Sequence, residues 1–261
     1  MVSPDRSGSP PFADDVASTG AAGTGAAGTG AGGTGAGGGA GVSVRELRPS
    51  DCRPAARLHR QVLDAEFISR FGIGFLEAYY RAWVDADAAL ALAATGPSGQ
   101  LDGLLLGALD PVAHTASMVR RHWPSLAARL AAAAARDPRL GWDLAATRAR
   151  RYARGAARAA RRPPRPTATP APPASRLPVT GEVTHLLVAP EAQGTGIGRE
   201  LVAAAEEEGR RAGLGELVLV TPVEEWGARR FYERVDWVLD QPVTSASGER
   251  FVRYRRRLGP G

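Results

Sequence analysis

The fold of this chain is decided by residues 183–202, which read VTHLLVAPEAQGTGIGRELV. Residues 183–189 form an apolar run that is typical of a buried strand. Residues 193–198 then carry three glycines at alternate positions, and residues 199–211 have the apolar spacing of a helix. The stretch therefore predicts a strand, a glycine turn and a helix in direct succession.

A glycine turn between a strand and a helix favours binding of an anion. Glycine lets the chain turn sharply and approach a ligand closely, and the positive end of the following helix lies beside the free backbone N–H groups. A pyrophosphate group would fit such a turn. A Walker-type site is excluded because the chain contains no lysine, and a dinucleotide fold would place the turn after its first strand.

The sequence before this stretch predicts two helices and three strands. Apolar and polar residues alternate over residues 42–47, which predicts a first strand. Ser50 or Asp51 then caps a helix whose apolar positions recur at helical spacing. A second helix is expected over residues 71–84. Two short apolar runs, 90–94 and 101–109, flank a glycine and proline turn and predict a β-hairpin.

The sequence after the glycine turn continues the alternation of strands and helices. We expect a strand at 216–221, a helix at 225–234 and a final pair of strands at 237–239 and 250–255. The chain therefore belongs to the α/β class.

An insertion rich in alanine and arginine separates the two halves. Residues 112–178 contain two expected helices, at about 116–135 and 140–160, and a proline-rich connector. Residues 120–162 hold 12 Arg and two Asp, which exceeds the +6 net charge of the whole chain. This segment could pack beside the core, attract an anionic acceptor, or contact a membrane surface. Nucleic-acid binding is not favoured, because few aromatic side chains accompany the arginines.

The remaining composition limits the other possibilities. Residues 1–41 are rich in Gly, Ala and Thr and predict a disordered tail. The single cysteine, Cys52, excludes an internal disulfide, and no signal peptide or membrane span is recognised, so we expect a cytoplasmic protein. His59, His114 and His122 are scattered along the chain, and we expect no metal site.

Two segments resemble the GNAT N-acetyltransferase superfamily. Residues 188–201, VAPEAQGTGIGREL, resemble its acyl-CoA signature, and residues 228–237, ARRFYERVDW, resemble the helix that ends in Tyr, three residues and Gly-Phe. Here Asp236 and Trp237 replace Gly-Phe. The resemblance implies a mixed, mostly antiparallel central sheet flanked by helices over residues 42–258, with the basic helical insertion before the strand that binds CoA.

The resemblance also implies the ligand and its contacts. Acetyl-CoA would be the acyl donor, with its pyrophosphate on the backbone of the turn and its pantetheine arm along the preceding strand. The residues so implied are Leu187, Val188, Gln193, Gly194, Thr195, Gly196, Ile197 and Gly198. The implied activity is acetyl transfer to a primary amine of a small molecule, an amino sugar or a polypeptide.

Two catalytic residues follow from the same comparison. Glu182 has the spacing before the turn at which part of the family carries its base, and Tyr232 corresponds to the tyrosine that protonates the leaving thiolate. His185 is an alternative base. Simple strand alternation places Glu182 and His185 on opposite faces. A regulator that binds acyl-CoA without turnover, or a protein of the membrane surface, remains the alternative to an enzyme.

Overall fold

A single seven-stranded sheet forms the centre of the molecule. The computed structural model describes residues 41–97, 99–147, 179–245 and 248–259. The strand order is β1-β2-β3-β4-β5-β7-β6, and only the β4–β5 pair is parallel. The strands are β1 Ser43–Glu46, β2 Ala89–Thr95, β3 Leu101–Ala108, β4 Thr180–Val188, β5 Glu216–Pro222, β6 Val238–Thr244 and β7 Arg250–Arg257.

Six helices of the described residues flank this sheet. They are α1 Cys52–Val62, α2 Ile73–Val84, α3 Pro111–Arg136, α4 Pro138–Thr147, α5 Ile197–Arg211 and α6 Trp226–Arg234. Each face of the sheet has its own apolar core. One core contains Leu186, Leu201 and Tyr232 beside α5 and α6, and the other contains Leu76 and Leu187 beside α1 and α2. The predicted mixed, mostly antiparallel sheet between helices is confirmed.

The pairing between β4 and β5 is the shortest strand pairing in the described sheet. These strands pair only through Thr180 to Glu182 on β4 and Glu216 to Val218 on β5. Beyond Glu182, β4 continues to Val188 with β3 as its partner but without β5. A gap therefore opens in the sheet at the end of β4 that leads into the glycine turn.

A β-bulge in β4 changes which side chains share a face. Leu106 pairs with His185 but Gly107 pairs with Val183, so Thr184 is the extra residue. As a result Val183 and Leu186 both point into the α5 core although they are three positions apart. The expectation that Glu182 and His185 lie on opposite faces is therefore wrong, because it assumed unbroken alternation. Both lie on the face covered by α1 and α2.

The described part of the basic insertion packs on α2. Asp110 caps α3 by accepting from the N–H groups of Val112 and Ala113, so the helix starts earlier than predicted. Leu126 of α3 and Leu140 of α4 are buried in the α2 core. The tail at 1–40 and residues 148–178, with most of the expected second helix and the proline-rich connector, lie outside the described residues.

Two polar contacts accompany this packing. Arg129 donates to the carbonyl oxygen of Gly74, and Arg70 pairs with Asp143 at 2.9 Å. Within the described ranges, no helix combines the length and hydropathy required to cross a membrane.

Candidate active site

A cavity of about 210 Å³ lies where β4 ends and α5 begins. The end of β4 and the glycine turn form one wall, and α6 forms the other. The lining residues are Leu186, Val188, Ala192, Gln193, Gly194, Gly196, Ile197, Gly198, Arg199, Phe231, Arg234 and Val235. The cavity therefore lies at the open end of the gap, where β4 no longer pairs with β5.

The backbone of the turn is arranged to receive an anion. Gly194 and Gly196 have φ angles of 79° and 96°, in the left-handed region that favours glycine. A Cβ atom at either position would meet nothing within 4 Å, so the backbone faces open space. Among the described backbone contacts, the N–H groups of Gly194, Gly196 and Gly198 have no acceptor. Free donors at the start of a helix are the usual ligands of a phosphate group.

Two arginines add positive charge to the cavity. Arg199 lies in the first turn of α5 and Arg234 at the end of α6, and both side chains belong to exposed residues. A cation in the first turn opposes the helix dipole, and an anion bound at the turn would offset that cost. The sequence analysis missed both arginines. The position of Arg199 directly after the glycine turn was the available signal.

Most of the predicted donor contacts are brought together here. Val188, Gln193, Gly194, Gly196, Ile197 and Gly198 line the cavity, whereas Leu187 and Thr195 do not. The side chain of Leu187 is fully buried in the α2 core, on the other face of β4. Gly198 faces Phe231, since a Cβ there would lie 3.2 Å from the ring.

Tyr232 is buried beside the cavity but does not line it. Its ring packs against Phe231, Trp237 and Tyr254. Within the described residues its hydroxyl has no hydrogen-bond partner, and burial raises the pKa of Tyr232 far above its usual value. The hydroxyl is therefore protonated at neutral pH and can only act as a proton donor.

Glu182 lies away from the cavity, at the closed end of the gap. It pairs with Ala108 of β3 and with Val218 of β5, and its side chain is half-buried. The cavity opens on the α5 face through Leu186 and Val188, so Glu182 and the cavity lie on opposite faces of β4. Ligands that lay on the two faces of β4 could therefore both reach the gap.

A second polar cluster lies on the α1 face of β4. His59 of α1 and His185 of β4 are buried, and the side chain of Glu66 is 10% exposed. One ligand-type atom from each of the three residues lies within 4.8 Å of the others. Burial lowers the pKa of both histidines to about 4 and raises the pKa of Glu66 to about 7. Sequence reasoning considered each histidine separately and did not consider Glu66, because His185 lies more than 100 residues after the other two.

The sheet, its gap and the glycine turn define the GNAT fold. Residues 174–258 match the family model described as an acetyltransferase (GNAT) domain, which covers the chain from before β4 to the end of β7. The predicted resemblance to the GNAT superfamily is thereby confirmed. No curated protein matches the sequence.

Solved structures of similar fold and low sequence identity are acetyltransferases. A chimera of spermidine N-acetyltransferase from Vibrio cholerae and hSSAT is 15% identical with a TM-score of 0.51, covering 84% of this chain and 96% of the chimera. The ribosomal-protein-S18-alanine N-acetyltransferase of Escherichia coli is 11% identical with a TM-score of 0.48, covering 84% and 96%. A GNAT-family acetyltransferase of Streptococcus pneumoniae is 12% identical with a TM-score of 0.48, covering 84% and 99%.

Proposed function

We propose that this protein is an N-acetyltransferase that moves an acetyl group from acetyl-CoA to a primary amine within a ternary complex. The observation that carries the proposal is the cavity at the β4–β5 gap, with its glycine turn, free amides and two arginines. The proposal includes the domain boundaries: the catalytic domain would span residues 42–258, and residues 112–178 would be an insertion within it.

The donor would bind through its phosphates and its extended arm. The pyrophosphate fits the amides of Gly194, Gly196 and Gly198, and Arg199 and Arg234 supply the countercharge. The pantetheine arm would add to the free edge of β4 near Val188, where β5 no longer pairs. The thioester would then lie inside the gap.

Acyl transfer needs a neutral amine and a protonated leaving group. Glu182, on the acceptor side of β4, would accept the proton that the ammonium group loses before or during attack. The nitrogen forms a bond to the acetyl carbon, the resulting tetrahedral intermediate loses a second nitrogen proton to solvent, and the carbon–sulfur bond breaks to leave the amide and the thiolate. Tyr232 would donate its proton to the departing thiolate, since its hydroxyl is protonated and has no other acceptor among the described residues.

A regulator that binds acyl-CoA without turnover is the second candidate. The observation in its favour is that neither Glu182 nor Tyr232 lines the cavity. The membrane-surface alternative rests on residues 120–162, of which 148–162 lie outside the described ranges. Liposome co-sedimentation of the intact chain against a variant lacking 112–178 tests it.

The deciding experiment compares two glycines in acetyl-CoA titrations by calorimetry. Gly196 lines the cavity and Gly213 does not, yet both have left-handed φ angles and open space at the Cβ position. Gly196→Trp should abolish acetyl-CoA binding. Gly213→Trp also places a side chain at a left-handed φ angle, but it should preserve binding. Thiol release is then measured across a panel of amines.

Each result assigns the function. Binding that only Gly196→Trp removes, with turnover of one amine class, supports the enzyme and identifies its acceptor. Binding without turnover of any amine favours the regulator. The absence of binding by the wild-type protein contradicts both.

A further inference from the structure

The cluster of His59, Glu66 and His185 has the composition of a metal site. Two imidazoles and one carboxylate, together with a water molecule, are a common ligand set for zinc. Nε2 of His59 lies 3.1 Å from Oε2 of Glu66, and ligand-type atoms of all three residues lie within 4.8 Å of one another. Ligands of a tetrahedral zinc ion at about 2.0–2.2 Å are separated by roughly 3.3–3.6 Å. Small side-chain shifts would therefore close the site.

The ligand atoms lack other partners. Nε2 of His59, Nε2 of His185 and both carboxylate oxygens of Glu66 are buried and form no hydrogen bond with any described residue. His59 and Glu66 are at contact distance, but the ring N–H does not point along a hydrogen bond. The side chain of Glu66 is only 10% exposed and that of His59 is fully buried. Buried polar atoms without partners carry a cost that a bound cation would remove.

The second nitrogen of each ring is already oriented. Nδ1 of His59 lies 2.9 Å from the hydroxyl of Tyr80, and Nδ1 of His185 lies 3.2 Å from the hydroxyl of Thr184. Histidine ligands of metals usually donate their other N–H to an oxygen, which fixes the ring and directs Nε2 at the ion. Both histidines have this arrangement, and both leave Nε2 for a ligand.

The position of Thr184 connects this arrangement to the bulge in β4. Thr184 is the extra residue of the bulge, and its hydroxyl also donates to the carbonyl oxygen of Leu106. The bulge turns His185 toward α1, where its ring lies 5.7 Å from that of His59. If strict alternation continued from Val183 through Thr184, His185 would face the α5 core.

We propose that His59, Glu66 and His185 bind one divalent cation of the zinc class. The ion would join α1, the segment before α2 and the middle of β4, with water or the second carboxylate oxygen of Glu66 in the fourth position. This site is separate from the cavity at the glycine turn, and the inference does not depend on the proposed function. A protonated Glu66 without a metal is the other state of the cluster.

The test measures metal binding directly in tag-free, full-length protein. After treatment with EDTA and dialysis, zinc is titrated by calorimetry and the retained metal is counted by elemental analysis. Cobalt is then added, because its visible absorption reports a site of low coordination number. We expect one equivalent per chain, a cobalt spectrum that zinc displaces, and a higher Tm in the presence of zinc.

Matched variants assign the ligands. His185→Gln and Glu66→Gln should weaken binding at least about 100-fold, since loss of an outer partner alone costs about 10- to 100-fold. Thr184→Val removes such an outer partner and should cost about 10- to 100-fold. His114→Gln is the control, because His114 is also buried but packs on Trp83 away from the cluster. It should bind zinc as the wild type does.

Misfolding is distinguished from loss of the site by circular dichroism and by the Tm of the metal-free variants. The zinc-dependent rise in Tm of the wild type needs no variant. The proposal is overturned if stripped wild-type protein binds less than stoichiometric zinc and cobalt. It is also overturned if folded His185→Gln or Glu66→Gln binds zinc as tightly as His114→Gln.

Discussion

The indole of Trp237 donates a hydrogen bond to Oε1 of Glu206 across 3.0 Å in the buried core. Glu206 is also buried and is paired with Arg256 at 3.3 Å and with Arg210 at 3.7 Å. The bond joins the start of β6 to α5. It also explains why tryptophan can replace the phenylalanine of the family pattern, since its N–H has a buried acceptor.

Trp237→Phe should therefore destabilise the protein. A hydrogen bond to a charged group contributes about 1.5–3 kcal/mol, and the smaller ring leaves part of its space unfilled. We expect the free energy of unfolding to fall by about 2–4 kcal/mol in urea titrations. Trp142→Phe is the control, because Trp142 is 74% exposed, and it should change stability very little. Equal effects of the two substitutions would contradict this role of Trp237.

Asp236→Gly should stabilise the protein. Asp236 has a φ angle of 62°, in the left-handed region, at the position where the family pattern has glycine. Its backbone N–H and carbonyl contacts with Glu233 and Arg256 remain available to glycine. We expect a gain of about 1 kcal/mol from relief of backbone strain. Asp236→Ala keeps the strain, so a gain of the same size in that variant would exclude this explanation.

The buried His114 should make the protein sensitive to acid. Burial lowers its pKa to about 4, against a smaller opposing effect of the nearby backbone of Asp87. The unfolded chain therefore binds a proton below about pH 6.5 that the folded chain does not bind until about pH 4. Stability from this group is complete above pH 6.5 and is lost as the pH falls toward 4.

His114→Gln isolates this effect. In that window one such group changes the free energy of unfolding by about 1.4 kcal/mol per pH unit. Urea titrations between pH 4.5 and 6.5 should show a slope smaller by about that amount in the variant, whatever its stability at pH 7. His122→Gln provides the comparison, and an unchanged slope for His114→Gln would show that His114 ionises normally in the folded protein.

Tyr232→Phe should reduce turnover without loss of stability. The hydroxyl is buried and has no described partner, so its removal should leave the Tm unchanged or higher. Loss of a positioned acid should lower kcat by about 100-fold or more. Tyr254→Phe is the matched control, since Tyr254 donates to Glu233 at 2.9 Å, and it should affect stability more than kcat. An unaltered kcat for Tyr232→Phe would remove the acid role.

Glu182→Gln should lower kcat by about 100-fold or more with little change in acetyl-CoA affinity, because Glu182 lies on the face of β4 opposite the cavity. Glu216→Gln is the control. Glu216 lies at the same end of the sheet and accepts from the hydroxyl of Thr180 at 3.0 Å. If Glu182→Gln and Glu216→Gln have the same kcat, Glu182 is not the base.

The sequence predicted most of the fold because the decisive signals are local. The apolar run, the glycine turn and the amphipathic helix of residues 183–211 lie next to one another in the chain, and each element appears in the structure as β4, the turn and α5. The start of α3 was placed too late because the combination of Asp110 as a cap and Pro111 in the first turn was not used.

The parts that failed depend on register and on contacts distant in sequence. One extra residue at Thr184 reverses the faces of the strand around it, and alternation cannot reveal a bulge. The cluster of His59, Glu66 and His185 forms only when α1 and β4 pack together, so no spacing pattern predicts it. Arg234 reaches the cavity from α6 for the same reason.

The short pairing between β4 and β5 divides the sheet into two plates that share few backbone hydrogen bonds. One plate contains β1 to β4 and the other contains β5 to β7. Within the described residues, the backbone hydrogen bonds between β4 and β5 lie near Thr180 to Glu182. A molecule that occupies the gap would touch both plates and act as a brace across the seam. The free protein would then be most compliant along that seam, and the loaded protein would behave as one continuous plate.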